Sequence, residues 1–401
     1  MNSNLKSKRK FAAKRLNGIP PYLFAEIDKK RIAAQNKGVD VINLGIGDPD
    51  QPTPDFIVKA MHQAIDDPST HNYPPYVGTK EFRTACVEWF DKRFHKENFD
   101  PEQECLSLIG MKEGIHNLIL ATIDQDDYCL IPNPGYPVYK TSTILAGGTP
   151  YLMPLREENN FLIDLKAIPE EVAKKSKLLF LNYPNNPTGA FASLEFFQEV
   201  IEFAQKYDIL VCHDNAYSEV ILPTEKTISI FDVKGAREIA VECFSLSKGF
   251  NMTGWRVGFV VGNSQAIKAL SNIKTNVDSG IFKAIQKAAV VALNSDQSHL
   301  KKLIDLYKDR AQTAEEGLRE LGWEIKNPWK GTLYIWQKIP SKYKSSIEFA
   351  SDMLDKAGIV VPPGVGYGEY GEGYFRIALS ASSQRIKEAI KRMKEQKLTF
   401  A

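Results

Sequence analysis

Four short segments of this chain carry residue types that can do chemistry as a set. An asparagine stands in NYPNNPTG (182–189), an aspartate in CHDNAY (212–217), a lysine in SLSKGFNMTGWR (245–256) and an arginine in YFRIALS (374–380). A free lysine amine has a pKa near ~10.4 and is a poor nucleophile at neutral pH. Burial beside a cationic group lowers that value and makes the amine reactive. Lys248 lies in a Ser/Gly-rich, weakly charged segment after an apolar run, with Arg256 eight residues on. Taken singly, each residue has a plain alternative. A lysine is most often a solvated surface charge, and an aspartate is often a turn or helix-cap residue.

What joins the four is their place in the expected elements. ECLSLIG (104–110), DYCLIPN (127–133), KLLFLNY (177–183), DILVCHD (208–214), IAVECFSL (239–246) and RVGFVVG (256–262) read as strands. They are apolar almost throughout, as strands buried on both faces are, with helices covering a mostly parallel sheet. Helices are expected from Lys112 to about Ile123, after Tyr136, and through LEFFQEVIEFAQKY. Each chemical segment then falls at the end of a strand or in the loop after it. In open α/β sheets ligands bind outside the carboxyl ends of the strands, so one shared site explains all four. The strand-to-helix turn Gly110-Met111-Lys112 adds backbone N–H groups at a helix N-terminus, a ready anion site.

After about residue 290 the pattern changes to α+β. A charged amphipathic helix over roughly 295–321 is followed by TLYIWQKI, a helix near 345–357, GIVVPPG, YFRIALS and a last helix near 383–397. The reading is an N-terminal arm (1–50) that packs on the small C-terminal domain (291–401), with a large domain (51–290) between them. At ~150 residues per domain, 401 residues accommodate two or three.

Composition narrows the field. Basic and acidic residues number 51 and 49, for a formal charge of +2, so there is no nucleic-acid footprint over the whole chain. Hydrophobic residues at 43% and charged ones at 25% exclude disorder, collagen and coiled coil as descriptions of the whole. Cys86, Cys105, Cys129, Cys212 and Cys243 are odd in number, widely spaced and without a C-x-x-C. They argue against a disulfide framework and a Cys-rich zinc site, and for a reducing compartment, the cytoplasm. No stretch approaches ~18 apolar residues, so no membrane helix is expected. The basic N-terminus MNSNLKSKRKFAAKRLNGIPP lacks the apolar region of a secretory signal. It reads as a solvated arm.

Two features distract. Gly366-x-Gly368-x-x-Gly371 is a literal GxGxxG, but it leads into a strand rather than opening a helix. Cys212-His213-Asp214 suggests a metal, yet consecutive strand residues face opposite ways. No metal site is expected.

The combined motifs resemble those of a fold-type-I pyridoxal-phosphate enzyme of the class I/II aminotransferase family. The carriers are S-x-S-K followed eight residues later by Arg, N-N-P-T-G, and D-x-x-Y, and the resemblance runs from about Phe11 to the C-terminus. It implies an α/β fold with a large domain built on a mostly parallel seven-stranded sheet sandwiched by helices, plus a smaller α+β domain. It implies pyridoxal 5'-phosphate carried by Lys248, with Arg256 clamping the phosphate. Asp214 would pair with the pyridine nitrogen and keep it protonated, tuning the ring as an electron sink. Tyr217 and Asn186 would bond the phenolic oxygen. Gly110, Met111, Lys112, Ser245 and Ser247 would surround the phosphate, and Tyr136 would stack on the ring. Many relatives place a small or hydroxylated residue where Met111 stands. Arg376 resembles the arginine that grips the substrate α-carboxylate through two parallel bonds, and Gly47 the glycine whose backbone approaches it. Tyr73 resembles a tyrosine that reaches the neighbouring subunit's phosphate, which implies a homodimer with shared sites.

Within the family, IPPYLFAEIDKKR, NYPPYVGTKEFR, KTNVDSG and GYGEYGEGYFRIALS resemble the LL-diaminopimelate aminotransferase group. That implies a donor with an amino-carboxylate at each end and 2-oxoglutarate as acceptor. Tyr22, Lys112 and Asn276 match group positions for the distal end. Tyr76 stands where plant-type members carry an acidic residue. A broad aspartate, alanine or glutamate aminotransferase and a pyridoxal-phosphate lyase on the same fold remain open at this point. A cofactor-binding transcription regulator needs a DNA-binding domain ahead of this fold, which about fifteen basic-rich residues cannot form. An NAD-dependent dehydrogenase rests on the weak glycine motif alone.

Overall fold

The runs that are apolar at nearly every position become strands whose alternate residues enter two different cores. In the computed structural model, which describes residues 12–19, 23–94 and 99–400, Leu179, Leu181 and Val211 join Phe197, Val200 and Ile201 on one face of a sheet. Leu178, Phe180 and Cys212 join Ile115 and Leu118 on the other. The side-chain period of two produces this split.

Along the chain the strands are β1 (Ile42–Asn43), β2 (Cys105–Leu108), β3 (Tyr128–Asn133), β4 (Thr149–Pro154), β5 (Ser176–Leu181) and β6 (Leu210–Asp214). Then come β7 (Ala240–Ser245), β8 (Gly258–Gly262), β9 (Tyr334–Lys338), β10 (Ile359–Val360) and β11 (Tyr374–Ala378). Seven of them form one sheet in the order β2-β8-β7-β6-β5-β3-β4. Only β8 runs antiparallel to its neighbours; the other pairings are parallel. The sheet is therefore mostly parallel and seven-stranded, sandwiched by helices such as Met111–Thr122 and Leu194–Tyr207. The strand of this sheet missed in the sequence is β4. It is an edge strand, mostly half-buried and carrying Pro150 and Pro154, which hides it from an apolar-run criterion and suits it to an edge.

The helix Leu194–Tyr207 buries Phe196, Phe197, Val200, Ile201 and Ala204, a single helical stripe. Ser193 begins it by accepting from the Phe196 amide at 3.3 Å. Each of those large apolar side chains contributes about 1.5–3 kcal/mol by leaving water.

The C-terminal part has its own core. Helices His299–Glu320, Ser346–Ala357 and Ser383–Glu395 pack with β9, β10 and β11. β1 pairs in parallel with β10, so Ile42 and Leu44 lie in this core and not in that of the large sheet. The helix Lys283–Asn294 packs instead on Asp55–Ile65 and Lys80–Phe94, with Ala288, Ala289 and Ala292 against Phe82 and Phe90. A boundary at residue 290 thus cuts a helix of the large unit, and the change of core comes in the turn before His299. The Gly366/Gly368/Gly371 run forms two short 3₁₀ turns ahead of β11 and opens no helix. At Gly368 (φ 129°) a Cβ would overlap the Asn133 side chain.

Candidate active site

Because β3, β5, β6 and β7 are parallel, their carboxyl ends share one edge of the sheet. β8 begins at that same edge because it runs the other way. A cavity of about 550 Å³ lies there, lined from the large unit by Met111, Lys112, Tyr136, Asn182, Asn186, Asp214, Tyr217, Ser245, Ser247, Lys248 and Arg256. Gly47, Tyr334, Tyr367 and Arg376 close it from the small unit and the arm, with Ala25 and Asp28 of the helix Leu23–Asn36 at its wall. That volume is within the usual ~300–1,000 Å³ of small-molecule sites.

One end of the cavity is built for an anion. Gly110, at φ 71°, begins the helix Met111–Thr122 without any side-chain cap, so the first amides and the helix dipole favour negative charge. A Cβ on Gly110 would overlap the Arg256 guanidinium, and the positive φ itself favours glycine. Arg256 donates from Nη1 to the Thr253 carbonyl at 2.9 Å. Ser245 caps the next short helix by accepting from the Ser247 amide at 3.1 Å. Behind the turn, Glu113 accepts from the Ile109 amide at 2.8 Å and from buried Lys274 at 2.9 Å.

The centre holds the lysine and the aspartate. Lys248 Nζ donates to the Gly47 carbonyl at 2.6 Å. Burial pushes its amine below the ordinary range, Arg376 and Arg256 add to that, and Tyr334 and Asp48 oppose it. Desolvation therefore outweighs the neighbouring arginine that the sequence pointed to. Asp214 is buried, accepts from the Tyr139 hydroxyl at 2.5 Å through Oδ2, and leaves Oδ1 without a hydrogen-bond partner among the described residues. Burial raises its carboxyl to about 6, against the lowering effect of Tyr139 and His213. His213 points away, its ring nitrogens 2.8 Å from Glu242 Oε1 and 2.9 Å from the Tyr183 carbonyl.

At the other end Arg376 is buried and donates to Asn186 Oδ1 at 2.9 Å and to the Gly45 carbonyl at 2.7 Å. Asn186 is fixed in turn, its amide donating to Asn182 Oδ1 at 2.8 Å, while Asn182 Nδ2 donates to the Asp214 carbonyl at 2.7 Å. The loop carrying Gly45 and Gly47 is tied down by Asp50, whose two oxygens meet the Arg310 fork at 2.7 Å each.

Most residues singled out in the sequence therefore meet in one cavity. Tyr73 (85% exposed) and Asn276 do not line it; Asn276 is exposed and donates to the Asn272 carbonyl at 2.8 Å. Tyr22 lies outside the described residues. Sequence reasoning missed Tyr139, Asn182, Tyr334 and Tyr367. Asn182 opens a flagged motif, and Tyr139 follows Tyr136 by three residues, so both were findable; Tyr334 sits in an unremarkable apolar strand.

The site fits a phosphorylated pyridine aldehyde. The capless helix start with Arg256 suits a phosphate. The depressed amine suits a carbonyl carbon. The orphaned buried oxygen of Asp214, costly if left alone, suits a cationic ring N–H. Comparison with known proteins agrees. The family model described as aminotransferase class I and II matches residues 39–393. The chain is 58% identical to the LL-diaminopimelate aminotransferase of Gloeobacter violaceus, over 97% of this chain and 99% of that one. It is 50% identical to the enzyme of the same name from Aquifex aeolicus, over 96% and 98%. Among solved structures, substrate-bound BacF from Bacillus subtilis superposes with a TM-score of 0.94 at 34% identity, covering 98% of this chain and 99% of that one. The fold is that of a fold-type-I pyridoxal-phosphate enzyme. More narrowly, the chain belongs to the class I and II aminotransferases and is a pyridoxal-phosphate-dependent transaminase.

Proposed function

We propose that this transaminase moves an amino group from LL-diaminopimelate to 2-oxoglutarate, a step of lysine biosynthesis. The observation that carries the reading is the identity of half or more, over nearly full length, to proteins of that name. The cavity wall supports it: besides the set that serves any amino acid, it presents Lys112 and Asp28, opposite charges suited to a second amino-carboxylate.

Pyridoxal phosphate supplies the electron sink and carries the amino group between the two acids. The chain's own groups do the rest. Arg376 holds the α-carboxylate in its fork, its charge already aimed by Asn186 and Gly45. Asn186 spends its oxygen on Arg376, and its Nδ2 and the Tyr217 hydroxyl would donate to the phenolic oxygen, as the family resemblance implies. Lys248 Nζ, whose charged form burial disfavours, takes up the α-proton and returns it. Asp214 keeps a negative charge where a ring nitrogen needs one. Gly110, Met111, Ser245, Ser247 and Arg256 hold the phosphate, and Tyr136 flanks the ring.

The working unit in this reading is a homodimer. Tyr73 and Asn276, exposed and away from their own cavity, would serve the partner's. Exposed Tyr76, Val277 (66%) and Phe282 give that face apolar area to bury. The five unpaired cysteines favour the cytoplasm, and the chain divides functionally into the large unit, the arm and the small unit described above.

The deciding experiment measures kcat/KM for LL-diaminopimelate beside aspartate, alanine and glutamate in one assay. A site that hydrogen-bonds a distal group discriminates strongly against donors lacking it, so aspartate and alanine should be poor. If any simple amino acid exceeds diaminopimelate, a broad aminotransferase is the better description.

A further inference from the structure

Tyr334 stands against three groups of the site at once: Arg376, Tyr217 and Gly47. The antiparallel register of β9 and β11 sets Tyr334 opposite Ala378 and Trp336 opposite Arg376, which makes Tyr334 and Arg376 diagonal neighbours on one face. The Arg376 guanidinium carbon lies 3.9 Å from the centre of the Tyr334 ring. The Tyr334 hydroxyl is 3.0 Å from that of Tyr217. Its phenol end also fills the space beside Gly47, where any Cβ would overlap it, and Gly47 is the residue whose carbonyl holds Lys248. Both Tyr334 and Arg376 are buried.

We propose that Tyr334 is a positioning residue with two separable tasks: its ring holds Arg376 in place for a carboxylate, and its hydroxyl aims that of Tyr217. The proposal rests on the roles given above to Arg376 and Tyr217. A desolvated guanidinium against an aromatic face is held more strongly than an exposed one. The face of the ring fixes the plane of the fork, while Asn186 and Gly45 fix its in-plane direction. The hydroxyl task follows from counting protons. Tyr217 has one O–H hydrogen; if it is given to the cofactor's phenolic oxygen, the 3.0 Å contact must be a donation from Tyr334. A donor chain of this kind strengthens each bond in it. Burial would raise the Tyr334 hydroxyl, but the adjacent Arg376 charge, with the other polar groups around it, leaves it below its usual range, which suits a donor. A tyrosine that merely filled space would be replaced by phenylalanine without consequence.

The test uses the cofactor-loaded enzyme and two readouts that are not turnover. One is the pH midpoint of the bound cofactor's visible absorbance. The other is the Kd for succinate, a dicarboxylate with no amino or oxo group to react. Tyr334→Phe should raise the absorbance midpoint by about 0.5–1 pH unit, since Tyr217 then stabilises the phenolic anion less well. It should leave the succinate Kd within about twofold, because the ring remains. Tyr334→Leu should in addition weaken succinate about tenfold. Tyr217→Phe and Arg376→Lys are the reference variants. If Tyr217→Phe moves the midpoint and Tyr334→Phe does not, the hydroxyl task is wrong while the role of Tyr217 stands. If neither moves it, both fall. If Arg376→Lys weakens succinate and a folded Tyr334→Leu does not, the ring task is wrong. Should the leucine variant not fold, Tyr334→Phe still decides the hydroxyl task.

Discussion

Replacing Asp214 by asparagine keeps the side chain's shape and an acceptor for Tyr139 while removing a buried charge. Burial moves the carboxyl from 3.8 to about 6. About two units at ~1.36 kcal/mol each come to about 3 kcal/mol, the cost of keeping Asp214 ionised in the folded, cofactor-free protein. The residue is 5% exposed, so solvent screening removes little of that. A folded-state value above the unfolded one means that the folded protein binds the proton more tightly. The group's stabilising contribution is then complete below the unfolded value near 3.8 and is lost as pH rises through about 6. Cofactor-free Asp214→Asn should therefore be more stable than wild type by up to about 3 kcal/mol at pH 7.5. The gap should close as pH falls toward ~4. Urea unfolding of the two stripped proteins across that range measures it. Function should go the opposite way. With cofactor loaded, kcat should fall by ~10²-fold or more, because no anion then faces the ring nitrogen. Equal stabilities at pH 7.5, or a kcat near wild type with saturating cofactor, would refute the assignment.

Lys248→Ala should abolish turnover, and peptide mass mapping after borohydride reduction of wild type should place the cofactor on Lys248; a different lysine would end that reading. Gly110→Ala should weaken cofactor binding at least tenfold (about 1.4 kcal/mol), through its positive φ and the overlap with Arg256, as read by cofactor titration of the stripped protein. Arg376→Lys should raise KM for every amino acid by roughly 10–100-fold, since a single ammonium cannot replace the fork; an unchanged KM would move the carboxylate site elsewhere. Light scattering of active enzyme should give twice the chain mass, and the mass of one chain would refute the shared-site dimer.

Local signals in the chain were enough to place most of the site. Strands buried on both faces show themselves as unbroken apolar runs, and Lys248, Asp214, Asn186 and Arg256 are found by their position at the ends of such runs. β4 escaped because an edge strand needs no such run and tolerates proline. The boundary at residue 290 misjudged Lys283–Asn294, because an amphipathic helix does not state which core its apolar stripe will enter.

What the sequence alone determined is the order of most elements, the edge of the sheet where the cavity opens, and the chemical types gathered there. Only the tertiary structure decided how those groups are tuned. The partner of Asp214 is Tyr139, 75 residues away. The arginine fork that fixes the Gly47 loop is 260 residues from Asp50. Arg376 reaches the Gly45 carbonyl across 331 residues, and Tyr334 reaches Tyr217 across 117. No periodicity or local motif encodes such pairs. Asp214 and Tyr139 meet inside the large unit, Arg310 and Arg376 meet the arm inside the small unit's core, and Tyr334 meets Tyr217 where the two units close on one cavity.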